Sequence, residues 1–165
     1  MNYFTRLGLD TDYNVSADKL EAKYIECQQR YHPDKFINMP EEERLKSMKI
    51  TIEINQAYNI LKSDIKRAEY ILALHGIAID DEAGCFKANN EILQNTMEER
   101  QILEDTQDHE ELKSLLKDTQ EQINHVITMF KKNLYENNII QAANEVVKLR
   151  YKNKFLEAIE CKLYE

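Results

Sequence analysis

The sequence predicts an all-α protein in two parts, a helical hairpin with a His-Pro-Asp loop joined to an antiparallel three-helix bundle. Apolar residues recur at spacings of three and four along most of the chain, which is the period of an amphipathic helix. Glycine and proline are rare, with three and two residues, and neither occurs after Gly84. No segment shows a convincing strand alternation or an internal repeat.

The first part is predicted to contain four helices, over residues 2–7, 16–31, 41–62 and 65–75. The Ser16 hydroxyl is a candidate cap for the second helix, and Gly76 is placed to end the fourth. One apolar stripe of the second helix holds Leu20, Tyr24, Cys27 and Tyr31. The third helix has two apolar stripes, both expected to be buried: Ile50, Ile54, Ala57 and Leu61, and Leu45, Met48 and Ile52.

A connector over residues 77–87 separates these helices from three longer ones, predicted over 89–105, 109–135 and 138–164. The last helix repeats apolar residues at Ile140, Ala143, Val147, Tyr151, Phe155 and Ala158. Short turns between long amphipathic helices favour an antiparallel bundle. We therefore expect a first domain over 1–76, a linker over 77–87 and a bundle over 88–165.

Composition limits the classes of function. The net charge of −8 disfavours general nucleic-acid binding, and no apolar run approaches the roughly 20 residues that span a bilayer. Residues 1–76 carry a net charge of −1 (11 basic, 12 acidic) and residues 77–165 carry −7 (11 basic, 18 acidic), which is typical of two parts with different partners. Because the sequence has no signal-peptide core, a cytoplasmic location is expected, with Cys27, Cys85 and Cys161 reduced and unpaired. We also expect a monomer.

The loop after the second helix displays His32, Pro33 and Asp34 on a turn. Pro33 has no amide hydrogen and disfavours the helical conformation of His32, so the helix must end there. An imidazole and a carboxylate so close could form an acid–base pair, but no nucleophile, phosphate loop or second carboxylate cluster accompanies them. A non-enzymatic role is therefore expected, either in partner binding or as a turn in which Asp34 caps local amides.

Three basic residues of the second helix, Lys19, Lys23 and Arg30, fall within one narrow wedge that also holds Glu26. This wedge lies about a right angle from the apolar stripe, so its charges are exposed to solvent. Such a row can be merely a solvated face, or it can steer the helix toward an acidic partner.

Four segments in this order and spacing resemble the J domain of the DnaJ co-chaperone superfamily. They are Tyr3-Phe4 with Leu7-Gly8-Leu9, then His32-Pro33-Asp34-Lys35, residues 54–61, and Arg67-Ala68-Glu69-Tyr70. The resemblance implies that this loop, with Lys35 and the basic wedge, docks on an HscA- or DnaK-type chaperone and triggers ATP hydrolysis there. The hydrolysis then belongs to the partner.

The stretch over residues 68–76, followed by an acidic helical bundle, is similar to the HscB family of J-domain co-chaperones. That resemblance implies a bundle that binds the iron–sulfur scaffold IscU and delivers it to the chaperone, with no cluster ligand or resident cofactor in this chain. The positions matching the scaffold-binding face are Leu93, Gln94, Met97, Glu98, Gln101, Asp105 and Tyr151. Gln94 and Gln101 are neutral amides where the family tends to place an apolar and an acidic group. Tyr151 also belongs to the apolar stripe of its own helix.

Two other functions remain open at this point. A J-domain protein could serve a client other than a cluster scaffold. A metal-binding or enzymatic bundle would need converging ligands, but His109 and His125 are isolated and no Glu-x-x-His pair occurs.

Overall fold

The structure, a computed structural model, describes residues 1–80 and 86–164. These residues contain seven α-helices. They also contain one isolated β-bridge, between Ile79 and Phe86, which lies between α4 and α5 in the chain. The helices are α1 (Tyr3–Arg6), α2 (Ala17–Tyr31), α3 (Glu41–Leu61), α4 (Asp64–Leu74), α5 (Asn90–Asp105), α6 (His109–Tyr135) and α7 (Ile139–Tyr164). The predicted all-α class is confirmed, and each predicted helix end lies within one residue of the observed end.

The chain divides into two compact units, Met1–Ile71 and Leu72–Glu165. Of the predicted linker over 77–87, residues 81–85 lie outside the described residues, and Cys85 is among them.

The core of the first unit forms where α1 and α2 pack on α3. Phe4, Leu20 and Ile54 contribute fully or almost fully buried side chains from these three helices. The Ser16 hydroxyl accepts a hydrogen bond from the Lys19 amide at 3.2 Å, which confirms the predicted cap of α2. These contacts join α2 and α3 as an antiparallel hairpin, and the loop that connects the two helices carries His32, Pro33 and Asp34.

The second apolar stripe of α3 is exposed, so the prediction that both stripes are buried is wrong. Leu45, Met48 and Ile52 are 53%, 58% and 51% exposed, whereas Ile54 is fully buried. At about 100° per residue, these three side chains lie roughly 120–180° around the helix from Ile54. The helices α1 and α2 cover only the Ile54 side.

The second unit is a three-helix bundle with up-down-up topology. Phe130 of α6 and Val146 and Ile159 of α7 form part of its fully buried core. Asn137, with a φ of 58°, makes the short turn between α6 and α7. Two lysines of α7 hold α5 parallel to that helix: Lys152 pairs with Glu99, and the Lys162 ammonium donates to the Leu103 carbonyl at 2.5 Å.

The apolar stripe predicted along α7 is wrong at both ends. Ile140 is 58% exposed and Ala158 is also exposed. Towards the C-terminus the buried positions are Phe155, Ile159 and Leu163, spaced by four residues. Because each four-residue step turns the stripe by about 40°, the buried face winds around α7 rather than following one line.

The end of α4 matches its prediction. Gly76 has a φ of 81°, a left-handed conformation that favours glycine. Its amide donates to the Ala73 carbonyl at 3.0 Å, and the Ile77 amide donates to the Leu72 carbonyl at 3.0 Å. This pair of bonds is the Schellman arrangement, which satisfies the last carbonyls of a helix.

Exposure of the second α3 stripe predicts that a polar replacement there is tolerated. Met48→Gln should change the free energy of unfolding by less than about 0.5 kcal/mol, as is usual for surface substitutions. Ile54→Ala, on the buried side of the same helix, should cost about 2–5 kcal/mol because it leaves a cavity. Urea unfolding of both variants measures the difference. A loss of more than about 1 kcal/mol for Met48→Gln would contradict the observed exposure.

Candidate functional site: the His-Pro-Asp turn and the α5 face

The His-Pro-Asp loop forms a compact turn at the end of α2. His32 leaves the helical region, with φ −57° and ψ 130°, and Pro33–Phe36 form a single 3₁₀ turn. The His32 imidazole accepts a hydrogen bond from the Asp34 amide at 3.3 Å, and the His32 carbonyl accepts one from the Lys35 amide at 3.0 Å. The capping group is therefore the imidazole of His32. The side chains of His32, Pro33, Asp34 and Lys35 are all exposed.

Two hydroxyls of α3 hold the residue that precedes this turn. The Ser47 and Thr51 hydroxyls each lie 3.0 Å from the carbonyl oxygen of Tyr31, placed to donate hydrogen bonds to it. We call these two groups the hydroxyl clamp. Sequence analysis missed it, although a signal existed: Ser47 lies about 20° from Ile54 on the buried side of α3, where a polar residue needs a partner.

The basic wedge of α2 is aligned as predicted but partly neutralised. Lys19 and Arg30 are exposed and Lys23 is half-buried. Along the helix the wedge spans about 16 Å, ending two residues before His32. Glu26 lies within it, 2.8 Å from the Lys23 ammonium and 3.5 Å from the Arg30 guanidinium. The hydrogen bond from Lys23, reinforced by its charge, lowers the pKa of Glu26, so this carboxylate remains ionised near neutral pH.

Six of the predicted scaffold-binding residues lie together on the exposed side of α5. Leu93 and Met97 are 42% and 72% exposed, whereas their neighbour Ile92 is 4% exposed. The Gln94 amide donates to Glu98 at 3.0 Å, and the Gln101 amide donates to Asp105 at 3.1 Å. The result is an apolar pair bordered by two amide–carboxylate pairs. We call these six residues the α5 face.

Polar contacts on the opposite side of α5 fix the direction of that face. The Lys152 ammonium contacts Glu99 and also donates to the Gln122 side chain at 2.5 Å, so it links α5, α6 and α7. Glu99 lies about 120° around α5 from Leu93. Because this contact holds the inner side of α5 on the bundle, Leu93 and Met97 point outward.

Tyr151 is separate in character from the α5 face. Its side chain is half-buried, and the Lys154 ammonium lies 5.8 Å from the centre of its ring. It lines a recess with Phe86 and Ala88, just before the start of α5. This position combines a packing role with a partly accessible ring.

Three further kinds of feature bear on function in the described part of the chain: metal sites, free thiols and membrane-spanning helices. No three His, Cys, Asp or Glu side chains come together there as metal ligands do. Cys27 and Cys161 are free thiols, and burial raises the pKa of Cys27. Among the helices described, none is both long enough and apolar enough to cross a membrane.

Comparisons with known proteins identify both units. The DnaJ domain family matches residues 2–70, and the family described as the HSCB C-terminal oligomerisation domain matches residues 88–160. The co-chaperone protein HscB of Proteus mirabilis is 32% identical over 164 residues, covering 97% of this chain and 94% of the relative. An HscB homologue of Vibrio parahaemolyticus is 34% identical, with coverages of 97% and 95%.

Solved structures show the same architecture. The chaperone HscB from Vibrio cholerae has a TM-score of 0.85 at 28% identity, covering 98% of this chain and 96% of the other. Human co-chaperone protein HscB has a TM-score of 0.87 at 23% identity, covering 98% and 82%, and supports the fold alone. This chain therefore belongs to the HscB family of J-domain co-chaperones, non-enzymatic partners of Hsp70-type chaperones.

Proposed function

We propose that this chain stimulates the ATPase of an HscA- or DnaK-type chaperone and delivers the scaffold IscU to it, in support of iron–sulfur cluster assembly and transfer. The observation that carries the proposal is the exposed His32–Lys35 turn of a J domain, in the same chain as an acidic bundle with an outward apolar pair. The proposed domains are 1–76 and 88–165 with a linker over 77–87, in a cytoplasmic monomer.

The proposed chaperone-docking surface consists of the turn and the basic wedge. Lys19, Lys23 and Arg30 present aligned positive charge, which raises the rate of encounter with an acidic patch. His32, Pro33, Asp34 and Lys35 are exposed at the end of that row and can be buried by the partner. Because the turn lacks a nucleophile, its role is to bind a particular state of the chaperone, and differential binding of that state promotes hydrolysis there.

The proposed scaffold-docking surface is the α5 face together with Tyr151. Leu93 and Met97 can fill an apolar recess on the scaffold, and the surrounding carboxylates provide a polar rim. An interface of this type has a few apolar anchors that carry most of the binding energy.

Joining the two surfaces in one chain accounts for delivery. A scaffold held on the bundle is present near the chaperone at a high effective concentration as soon as the turn docks. Delivery therefore requires no cluster ligand or resident cofactor in this chain, and the iron–sulfur cluster remains cargo of the scaffold.

A different client is the second candidate function, and one observation favours it. Gln94 and Gln101 are bound to Glu98 and Asp105 in amide–carboxylate pairs along the α5 face. With Gln94 in such a pair, the border of the Leu93–Met97 apolar pair is more polar than it would be with an apolar residue at position 94. A more polar border would suit a different client. A pull-down with a cluster scaffold separates the two candidates, because a co-chaperone for another client would not retain it.

His32→Gln should abolish stimulation of the chaperone ATPase. Glutamine lacks the imidazole that caps the turn and is presented to the partner, so the loss should be at least about tenfold, the equivalent of one central interface contact. Steady-state ATP hydrolysis at a fixed chaperone concentration measures it. His125→Gln, which changes an exposed histidine of the bundle, is the matched control. Equal stimulation by wild type and His32→Gln would contradict the proposed role of the turn.

Leu93→Ala with Met97→Ala should weaken scaffold binding by about 10- to 100-fold, since each truncation removes an apolar anchor. Stimulation of the ATPase without scaffold should be unchanged, because the turn is intact. Titration calorimetry gives the dissociation constant, and Ile140→Ala, another exposed apolar residue of the bundle, is the control. An unchanged dissociation constant would rule out the α5 face.

Glu26→Gln should lower the concentration of this protein needed for half-maximal ATPase stimulation, by about two- to fivefold at low salt. The substitution removes the carboxylate between Lys23 and Arg30, so the basic wedge becomes more positive. The gain should shrink as ionic strength rises, because salt screens exposed charges. Glu21→Gln makes the same charge change on the opposite side of α2 and should have a smaller effect; equal gains from both would mean that net charge alone matters.

A further inference from the structure

The carbonyl of Tyr31 is the last one of α2 before the His-Pro-Asp turn. The last four carbonyls of a helix lack partners within it, and the Lys35 amide, which would reach Tyr31 in a continued helix, donates to the His32 carbonyl instead. In this chain the hydroxyl clamp takes over: the Ser47 and Thr51 hydroxyls approach the Tyr31 oxygen at 3.0 Å each. A carbonyl oxygen has two lone pairs, so both hydroxyls can be accommodated.

The clamp supplies the long-range hydrogen bonds described for the end of α2 and the turn. Other hydrogen bonds described for residues 31–39 join residues at most a few positions apart, such as Lys35 to His32 and Met39 to Phe36. The turn also packs on α3, with Phe36 half-buried, and open recesses lie beside it. An open recess of about 340 Å³ lies beside Pro33 and Ile37, and another of about 380 Å³ lies beside Tyr31 and Phe36.

We propose that Ser47 and Thr51 are positioning residues for the chaperone-docking turn. They hold the end of α2 on α3, so that the exposed side chains of His32 and Asp34 are presented in one orientation before the chaperone arrives. The inference rests on the proposed function. A turn that visits its competent orientation only part of the time binds with an affinity reduced by that fraction.

The two hydroxyls contribute unequally. The Thr51 hydroxyl also lies 3.0 Å from the Ser47 carbonyl, and with one hydrogen it can donate to only one oxygen at a time. Ser47 is 3% exposed, and Tyr31 is the acceptor that its hydroxyl contacts. Removing the Ser47 hydroxyl should therefore loosen the turn more than removing that of Thr51.

The test compares Ser47→Ala with Thr51→Val, singly and combined. Two variants are controls. Thr51→Ser retains the hydroxyl donor at position 51. Thr119→Val removes a buried hydroxyl far from the turn in sequence, one that donates to the Leu115 carbonyl within α6. Chaperone ATPase is measured against the concentration of each full-length variant. Backbone ¹⁵N order parameters of residues 33–37 are measured on the same proteins, and melting temperatures monitor the fold.

For the double variant we expect the half-maximal concentration to rise about five- to thirtyfold, with the maximal rate unchanged, because the docked turn is ordered by the partner. The order parameters of the turn should fall from about 0.85 toward 0.6. Thr51→Ser and Thr119→Val should resemble wild type. If the double variant unfolds, the single variants provide the same comparison.

Unchanged order parameters, or an unchanged half-maximal concentration despite a looser turn, would overturn the positioning role. A drop in maximal rate alone would also overturn it, since positioning before docking affects affinity. Failure of the proposed function gives a different result, because wild type itself would then not stimulate the chaperone.

Discussion

The steric restriction that the Pro33 ring places on His32 is the constraint on which the docking end of the first unit depends. The ring disfavours a helical conformation of His32, so α2 ends at Tyr31 and His32 is extended. The Lys35 amide, which would reach the Tyr31 carbonyl in a continued helix, donates to the His32 carbonyl instead. A half-buried carbonyl needs a hydrogen-bond donor. Ser47 and Thr51 of α3 lie opposite the end of α2, and their hydroxyls supply that donor to Tyr31. The exposed turn and its anchorage on α3 therefore have one physical origin.

The two units differ in how they hold their proposed docking surfaces. In the first, an apolar core between α2 and α3 supports a row of cations and a short turn. In the second, α5 buries Ile92 and is held largely by polar contacts from Lys152 and Lys162 of α7. The net charges of −1 for residues 1–76 and −7 for residues 77–165 agree with separate partners for the two parts. The segment that joins two such surfaces needs no binding or catalytic residues, because holding the surfaces in one chain is enough to raise the effective concentration of one partner at the other.

Local signals predicted the helices closely, because proline, glycine and capping hydroxyls act within a few residues. Ser16 and Gly76 behave as expected for this reason. Burial was harder to predict: the spacing of Leu45, Met48 and Ile52 shows that they share a side of α3, but only packing decides whether that side is covered. A polar Ser47 on the buried side of α3 indicates that a partner is needed, but the clamp joins residues 16 and 20 positions apart, so no local pattern identifies Tyr31 as that partner. For the α5 face, sequence similarity suggested the residues, and their exposure required the structure.

If one chain couples a chaperone to a scaffold, ATP hydrolysis by the chaperone must depend on scaffold in the presence of this protein. The steady-state rate of an HscA-type chaperone is measured with wild-type protein alone, with scaffold alone and with both. With both present, the increase over the unstimulated rate of the chaperone should exceed the sum of the two separate increases, because the tether raises the local concentration of scaffold. Stimulation by this protein that is indifferent to scaffold would contradict the account.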